Sequence, residues 1–162
     1  MNRSCYIQNH PVCLFFYDFD GVFTDNRVLI SEDGKESVYC NRSDGLAVGK
    51  IKESGISQII ITTEINNIVS VRAAKLGIPV MQGINNKKDA LLEYCNKFSI
   101  DINEILYIGN DINDLEAMLT VGFPVCPLDA YHEIKQISKL IIPVNGGCGV
   151  IRNLLYYLKQ PI

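Results

Sequence analysis

Short apolar runs alternate with amphipathic stretches along most of this chain. Five runs have the length and the β-branched or aromatic content of buried strands, and they predict strands at 12–17, 57–62, 105–109, 122–126 and 139–143. The stretches between and after them predict helices near 44–54, 66–76, 86–98, 112–120, 130–137 and 149–158. Strand–helix alternation is typical of an α/β protein with a Rossmann-like, doubly wound parallel sheet.

One segment departs from this alternation. Residues 27–40 place two short β-prone runs on either side of an Asp33-Gly34 turn signal, which predicts a β-hairpin. The hairpin follows the first strand and would project from the sheet. No internal repeat or linker interrupts the rest, so we expect a single domain over 1–162.

Composition narrows the function classes. The chain has 162 residues, is 48% apolar and carries a net charge of −3, which argues against a nucleic-acid or anionic-membrane surface. It contains no membrane-spanning stretch or signal-peptide pattern, and its six cysteines form no C-x-x-C pair. We therefore expect a reduced, cytoplasmic protein without a zinc site.

The first strand leads directly into candidate chemistry. Asp18 and Asp20 follow the run Leu14–Tyr17, and Gly21 comes next. In an open α/β sheet, ligands bind at the carboxyl ends of the strands, where two acids can hold a divalent cation against an anionic substrate. Asp18 could attack as a nucleophile while Asp20 moves the proton. Taken alone, Asp-x-Asp-Gly is equally typical of an ordinary turn.

Two later strands are followed by groups that suit a phosphate. Thr62 follows the run Ile59–Ile61, although the polar residues here could simply form a helix cap, with Thr63 or Asn66 capping the helix that follows. Lys87 and Lys88 open a predicted helix, where a cation opposes the helix dipole, and such local conflicts often mark function. One of the two adjacent lysines should face solvent.

The fourth strand is followed by Gly109-Asn110-Asp111-Ile112-Asn113-Asp114. Asp111 and Asp114 could complete or support a cation site, or they could be the acids that commonly enrich a helix N-terminus. Each motif is weak by itself. Their order, each one after a strand, favours a functional site over coincidence.

The motifs together resemble the haloacid dehalogenase superfamily of phosphotransferases, over about residues 12–158. Within it the chain is similar to the branch that lacks a cap domain and forms tetramers, which includes phosphatases of eight- and nine-carbon keto-deoxy sugar acids and the phosphatase-like module of acylneuraminate cytidylyltransferases. The match is carried by residues 18–25, 72–78, 107–114 and 146–152.

The resemblance implies a role for each matching residue. Asp18 would form an aspartyl-phosphate, Asp20 would be the general acid and base, and Thr62, near the Gly21 amide, would bind the phosphoryl group. Lys87 would neutralise charge. The implied Mg²⁺ ligands are Asp18, Asp20, Asn110 and Asp111, and the supporting acid is Asp114.

Asn110 departs from the family pattern, which has an acid at this position. An amide oxygen can still ligate Mg²⁺ but contributes no charge, so we expect weaker metal binding. A catalytically weak or silent tetramerisation module is therefore the alternative to an active phosphatase. A receiver-type phospho-acceptor domain is disfavoured by the hairpin and by the Asp-x-Asp spacing.

The substrate is inferred from the same resemblance. Glu64 and Lys75 match the nine-carbon branch, which favours a nonulosonate 9-phosphate over 3-deoxy-octulosonate 8-phosphate, although the two could equally form an ion pair on a helix face. Thr63 and Arg152 are further candidates for substrate binding, and Arg152 could equally be a surface arginine. Without a cap, the site is expected to need a neighbouring subunit of a homotetramer to exclude water.

Overall fold

The computed structural model describes residues 5–159. Its central sheet has six parallel strands: Leu14–Tyr17 (β3), Ser57–Ile61 (β6), Val80–Met81 (β7), Ile105–Ile108 (β8), Phe123–Pro127 (β9) and Leu140–Ile142 (β10). Their order in the sheet is β10-β9-β8-β3-β6-β7. The predicted parallel α/β sheet is confirmed, with β3 at its centre.

Five helices lie between these strands along the described chain, and a sixth follows β10. They are Arg42–Glu53 (α1), Asn67–Leu76 (α2), Lys87–Phe98 (α3), Leu115–Thr120 (α4), His132–Ile137 (α5) and Val150–Leu154 (α6). Single 3₁₀ turns at Ile102–Glu104, Ile112–Asp114 and Leu155–Tyr157 precede β8, precede α4 and follow α6. None of the helices described is long and apolar enough to cross a membrane.

Side chains from the two faces of the central strand enter different cores. Phe15 and Tyr17 pack in one buried cluster, whereas Leu14 and Phe16 pack in the other. A strand covered by helices on both faces reads as a continuous apolar run, because neither set of side chains meets water. This double burial explains why the first predicted strand shows no polar alternation.

The predicted first strand is in fact two strands of different sheets. His10–Val12 (β2) pairs with Cys5–Ile7 (β1), which also pairs with Leu158–Lys159 (β11), and β3 begins only at Leu14. The β1–β2 loop is Gln8-Asn9, with φ of 48° and 66°. Such left-handed pairs make tight hairpin turns, here without the glycine that usually signals them. The predicted last helix is likewise shorter, because 158 already belongs to β11.

The predicted hairpin is present, although its paired strands are short. Leu29–Ile30 (β4) pairs with Glu36–Ser37 (β5) in antiparallel register. Gly34 adopts φ 78° in the turn. Val28, Leu29 and Ile30 are 48%, 64% and 63% exposed. Between β3 and β6 the regular structure consists of this hairpin and α1, with no cap domain.

Candidate active site

The predicted residues that directly follow strands lie at one edge of the sheet because the parallel ladder continues past each strand end. The Asp18 amide donates to the Ile108 carbonyl at 2.8 Å, and the Thr62 amide donates to the Met81 carbonyl at 2.9 Å. β3 pairs with both β6 and β8. The residues that follow these three strands are therefore neighbours at the carboxyl edge.

Lys87 connects two buried carboxylates at this edge. Its Nζ donates to Asp18 Oδ1 and to Asp114 Oδ1, each at 2.7 Å. The Lys87 side chain is 1% exposed, and those of Asp18 and Asp114 are 6% and 0% exposed. Lys88 instead faces outward, with Glu116 at 3.4 Å. Of the two lysines at the start of α3, where a cation opposes the helix dipole, Lys87 is therefore the one that is buried in the site.

One ammonium group shared by two carboxylates leaves an excess of negative charge. Burial raises the pKa of Asp18, the Asp114 carboxylate raises it further, and the Lys87 ammonium opposes both. Burial alone would lower the pKa of Lys87, but the Asp18 and Asp114 carboxylates outweigh it and raise that pKa. The lysine is therefore charged, and a further cation nearby would favour the ionised form of Asp18.

Asp114 is fully occupied in holding the loop that follows β8. Besides the bond from Lys87, Asp114 Oδ1 accepts from the Tyr107 hydroxyl at 2.8 Å, and Asp114 Oδ2 accepts from the backbone amide of Asn110 at 2.9 Å. Its contacts hold the backbone of Asn110, and its role in supporting a metal site stays a prediction. Tyr107 was not predicted from the sequence, although a tyrosine within a buried strand needs a partner for its hydroxyl.

A cleft of about 270 Å³ opens beside this network. Its lining includes Asp18, Asp20, Asn110 and Asp111. Asn110 is 8% exposed, and its buried Oδ1 accepts no hydrogen bond from the residues described. An unpartnered buried amide oxygen is costly unless a ligand uses it.

The donor set of the cleft fits a hard cation. Within 5–159, no three His, Cys, Asp or Glu side chains are arranged to hold a metal by themselves. The lining combines carboxylates with the side chain of Asn110, whose Oδ1 is unpartnered among the described residues, and Mg²⁺ accepts such a mixture of carboxylate, amide and water oxygens. Asp18, Asp20, Asn110 and Asp111 are thus the residues that would hold Mg²⁺.

Asp20 lies at the border of this cleft and is held by its own loop. The Thr24 hydroxyl donates to Asp20 Oδ1 at 3.2 Å. Burial raises the pKa of Asp20, the Thr24 hydrogen bond lowers it, and the Glu64 and Glu36 carboxylates add to the rise. A raised pKa keeps a larger fraction of Asp20 protonated near neutral pH, which suits a proton donor.

The glycine segment before α6 packs against the loop that carries Asp20 in the same chain. The Gly147 amide donates to the Val22 carbonyl at 3.1 Å, and the Gly146 amide donates to Asp129 Oδ1 at 2.9 Å. A Cβ on Gly146 would clash with the Gly21 carbonyl. This close approach occurs within one chain, where it braces the loop that carries Asp20.

Of the three residues that follow β6, Thr62 and Thr63 line neither the cleft of Asp18 nor a second one beside it, and only Glu64 lines the second. Thr62 is buried, and its Oγ1 accepts from the Glu64 amide at 3.0 Å. The second cleft also includes Asp20. Thr63 is exposed and lines neither cleft. The predicted place of Thr63 at the substrate thus has no support from the geometry of this chain.

Two other predicted substrate residues lie elsewhere. Lys75, on α2, borders a groove with Arg42 and Arg72. Arg152 lies on α6, where its backbone amide donates to Asp44 Oδ1 at 2.9 Å. Neither lines the Asp18 cleft or the Glu64 cleft. Lys75 also lacks an ion pair with Glu64 within the described chain, so the ion-pair alternative is not what the structure contains.

Comparison with known proteins assigns this chain to a family. Residues 50–154 match the haloacid dehalogenase-like hydrolase family. The chain is 30% identical to the 3-deoxy-D-manno-octulosonate 8-phosphate phosphatase KdsC of Escherichia coli K12, over 87% of this chain and 76% of that protein. The chain belongs to the haloacid dehalogenase-like hydrolases.

Solved structures agree with this assignment. A haloacid dehalogenase family hydrolase from Streptomyces avermitilis superposes with a TM-score of 0.88 at 40% identity, covering 90% of this chain and 84% of that one. The 3-deoxy-D-manno-octulosonate 8-phosphate phosphatase of Moraxella catarrhalis, solved with magnesium, phosphate and KDO, gives a TM-score of 0.85 at 32% identity, covering 88% and 83%. Within its family, this chain is a phosphoric monoester hydrolase.

Proposed function

We propose that this chain is a Mg²⁺-dependent phosphatase of an eight- or nine-carbon 2-keto-3-deoxy sugar acid, with a nonulosonate 9-phosphate as the favoured substrate. The observation that carries the proposal is the bridge from Lys87 to Asp18 and Asp114 beside the cleft of Asp20 and Asn110. It combines a nucleophile, a proton carrier and positive charge at one place, which is what phosphoryl transfer requires.

The reaction has two steps. Asp18 Oδ2 attacks phosphorus while Lys87 holds Oδ1, and the bond from phosphorus to the sugar oxygen breaks as Asp20 gives that oxygen its proton. Asp20 then takes a proton from water, and the resulting hydroxide attacks phosphorus. Inorganic phosphate leaves, and the Asp18 carboxylate is restored. Bound Mg²⁺ supplies charge neutralisation between the carboxylates and the phosphoryl oxygens.

The choice of sugar rests on Glu64. Its Oε1 accepts from the Ile65 and Asn66 amides at 2.7 and 2.9 Å, which fixes the carboxylate in the cleft beside Asp20. A fixed carboxylate accepts hydrogen bonds from sugar hydroxyls, whereas an arginine there would favour an anion. The relatives compared above are octulosonate phosphatases, so 3-deoxy-octulosonate 8-phosphate is the second substrate to test.

The assembly we propose is a homotetramer. The hairpin exposes Val28, Leu29 and Ile30, and an exposed apolar strand of this kind is suited to burial against another copy. Lys75 and Arg152 lie away from the cleft of their own chain, so any contact of these residues with substrate would come from a neighbouring copy. A Leu29→Lys, Ile30→Lys variant should therefore sediment as a smaller species and lose turnover.

Phosphate release tests the function. The assay takes a panel of eight- and nine-carbon sugar-acid phosphates with and without Mg²⁺, using wild type, Asp18→Asn and Asn110→Asp. We expect turnover that requires Mg²⁺, is lost in Asp18→Asn and rises in Asn110→Asp. Asp33→Asn, which changes an exposed carboxylate of the hairpin turn, is the matched control. Absence of turnover on every substrate, with an intact tetramer, would favour the silent module.

A further inference from the structure

We propose that Glu36 of the hairpin is a specificity-determining residue, which makes the leaving-group cleft accept a neutral hydroxylated carbon chain and reject a second anion close to the ester. The inference rests on the proposed function, since it names the chemistry of the group that leaves. It concerns the second cleft, of about 240 Å³, which Glu36 lines together with Asp20 and Glu64.

This cleft adjoins the reacting centre. Asp20 and Asn26 line both it and the cleft of Asp18. A phosphate ester bound across this border would place its phosphoryl group beside Asp18 and its carbon chain in the second cleft. The ester oxygen would then lie at Asp20, the group proposed to protonate it.

The lining suits a chain that has both apolar and polar faces. Part of the cleft is apolar and can pack against C–H groups: its members are Phe19, Val28, Val38, Ile68 and Val69. The rim carries the carboxylates of Asp20, Glu36 and Glu64. Apolar surface with a few placed polar groups is the usual composition of a small-molecule site, and carboxylates accept hydrogen bonds from hydroxyls but donate none when ionised.

Two of these carboxylates are fixed before any ligand arrives. Glu36 Oε2 accepts from Asn66 Nδ2 at 2.9 Å, and Asn66 Oδ1 accepts from the Ile68 amide at 3.0 Å, so one side chain joins the hairpin to the start of α2. Glu64 Oε1 is held by backbone amides of the same turn. Within 5–159, no donor reaches the second oxygen of Glu36 or of Glu64, which leaves both able to accept from a substrate.

Arg27 lines the second cleft but does not neutralise the carboxylates of Glu36 and Glu64. Its Nε and Nη2 donate to Asp25 Oδ2 at 2.9 and 2.6 Å. The Arg27 side chain is 83% exposed. A carboxylate or second phosphate placed one or two carbons from the ester would therefore meet like charge, whereas the remote carboxylate of a long sugar acid would lie beyond so small a cleft.

The test compares two ligands that differ in one group. Glycerol 3-phosphate and 3-phosphoglycerate share a three-carbon phosphate monoester, and the second has a carboxylate in place of a hydroxymethyl group. Calorimetric titration with Mg²⁺ at pH 7.5 uses Asp18→Asn as the background, so that neither ligand is consumed. We expect the background protein to bind glycerol 3-phosphate more tightly than 3-phosphoglycerate.

Adding Glu36→Gln should reduce the ratio of the two affinities roughly three- to tenfold. The change should come mainly from tighter binding of 3-phosphoglycerate, because one negative charge a few ångströms from its carboxylate is removed. Glutamine can still accept from Asn66, so the hairpin should keep its place. Glu32→Gln, the same change in the exposed turn of that hairpin, should leave the ratio as it was. Inorganic phosphate, which has no leaving group, should bind the Glu36→Gln protein as it binds the background.

Three results would overturn the proposal: an unchanged ratio in Glu36→Gln, an equal shift in Glu32→Gln, or failure of glycerol 3-phosphate to bind. These outcomes are separate from the proposed function. A shifted ratio without turnover on the sugar-acid panel would retain the role of Glu36 and remove the substrate assignment. Turnover on the panel with an unchanged ratio would retain the substrate assignment and remove the role of Glu36.

Discussion

Replacing Lys87 with methionine tests the buried charge bridge directly. The substitution keeps a long unbranched side chain but removes the ammonium that lies 2.7 Å from both Asp18 and Asp114. Two nearly inaccessible carboxylates would then face each other without a cation. Breaking a buried ion pair by removing one partner costs about 3–5 kcal/mol, because the remaining charge stays buried.

The free energy of unfolding that Lys87→Met loses should depend on pH in a defined direction. Lys87 holds down the pKa of Asp18, so its removal raises that pKa further. A carboxyl group whose pKa is higher in the folded state than in the unfolded state favours folding when protonated. Stability is therefore lost as pH rises from about 4, the unfolded value, through the folded value. The pKa of Asp18 is raised to about 8 even with Lys87 present, so the ammonium favours the ionised carboxylate mainly above that pH, and we expect a loss about 1–2 kcal/mol smaller at pH 7 than at pH 9.5.

Urea unfolding followed by circular dichroism, at both pH values and without Mg²⁺, measures this loss. Lys88→Met is the control, since that lysine is 39% exposed in its side chain and reaches Glu116 only at 3.4 Å. Lys88→Met should lower the free energy of unfolding by at most about 0.5 kcal/mol. Turnover should fall by roughly 10²–10³ in Lys87→Met. Equal losses for the two lysines, or a Lys87→Met loss independent of pH, would refute the reasoning.

Three further outcomes are expected. Asn110→Asp should raise Mg²⁺ affinity by about tenfold or more in calorimetry, since it adds a charge to the cleft, and an unchanged affinity would exclude Asn110 as a ligand. Gly146→Ala should lower the free energy of unfolding by about 1–3 kcal/mol, because its Cβ would meet backbone atoms. Gly49→Ala, whose Cβ would lie in open space on α1, should raise the free energy of unfolding by about 0.5–1 kcal/mol. Chemical unfolding compares the two variants. Thr24→Val removes a hydrogen bond that lowers the pKa of Asp20, so the alkaline limb of the kcat profile should move to higher pH; a shift to lower pH would contradict the assignment of Asp20 as proton donor.

The strand-end residues could be predicted because a parallel sheet constrains them. Asp18, Thr62 and Asn110 each follow a buried apolar run, and parallel strands share one carboxyl edge, so their proximity needs no knowledge of side-chain packing. Lys87 was indicated by a local conflict with the helix dipole, which the buried bridge to Asp18 and Asp114 explains.

The remaining contacts depend on tertiary structure that leaves no local pattern. Glu36 and Asn66 lie thirty residues apart and meet only because the hairpin folds over the turn after β6. The strands β1 and β2 have three residues each, too few to show a period, and their turn lacks glycine. Family resemblance transfers the identity of Lys75 but not the position of its side chain relative to the cleft.

The most direct test of the account is whether Asp18 carries the phosphoryl group. Wild-type protein with Mg²⁺ and the best sugar phosphate of the panel is quenched in acid within the first turnover and digested, and its peptides are analysed by mass spectrometry. The account predicts one added phosphoryl group on the peptide that contains Asp18, and none in the Asp18→Asn protein, which should also release no phosphate. Phosphate release by Asp18→Asn, or a phosphoryl group on a different residue, would contradict it.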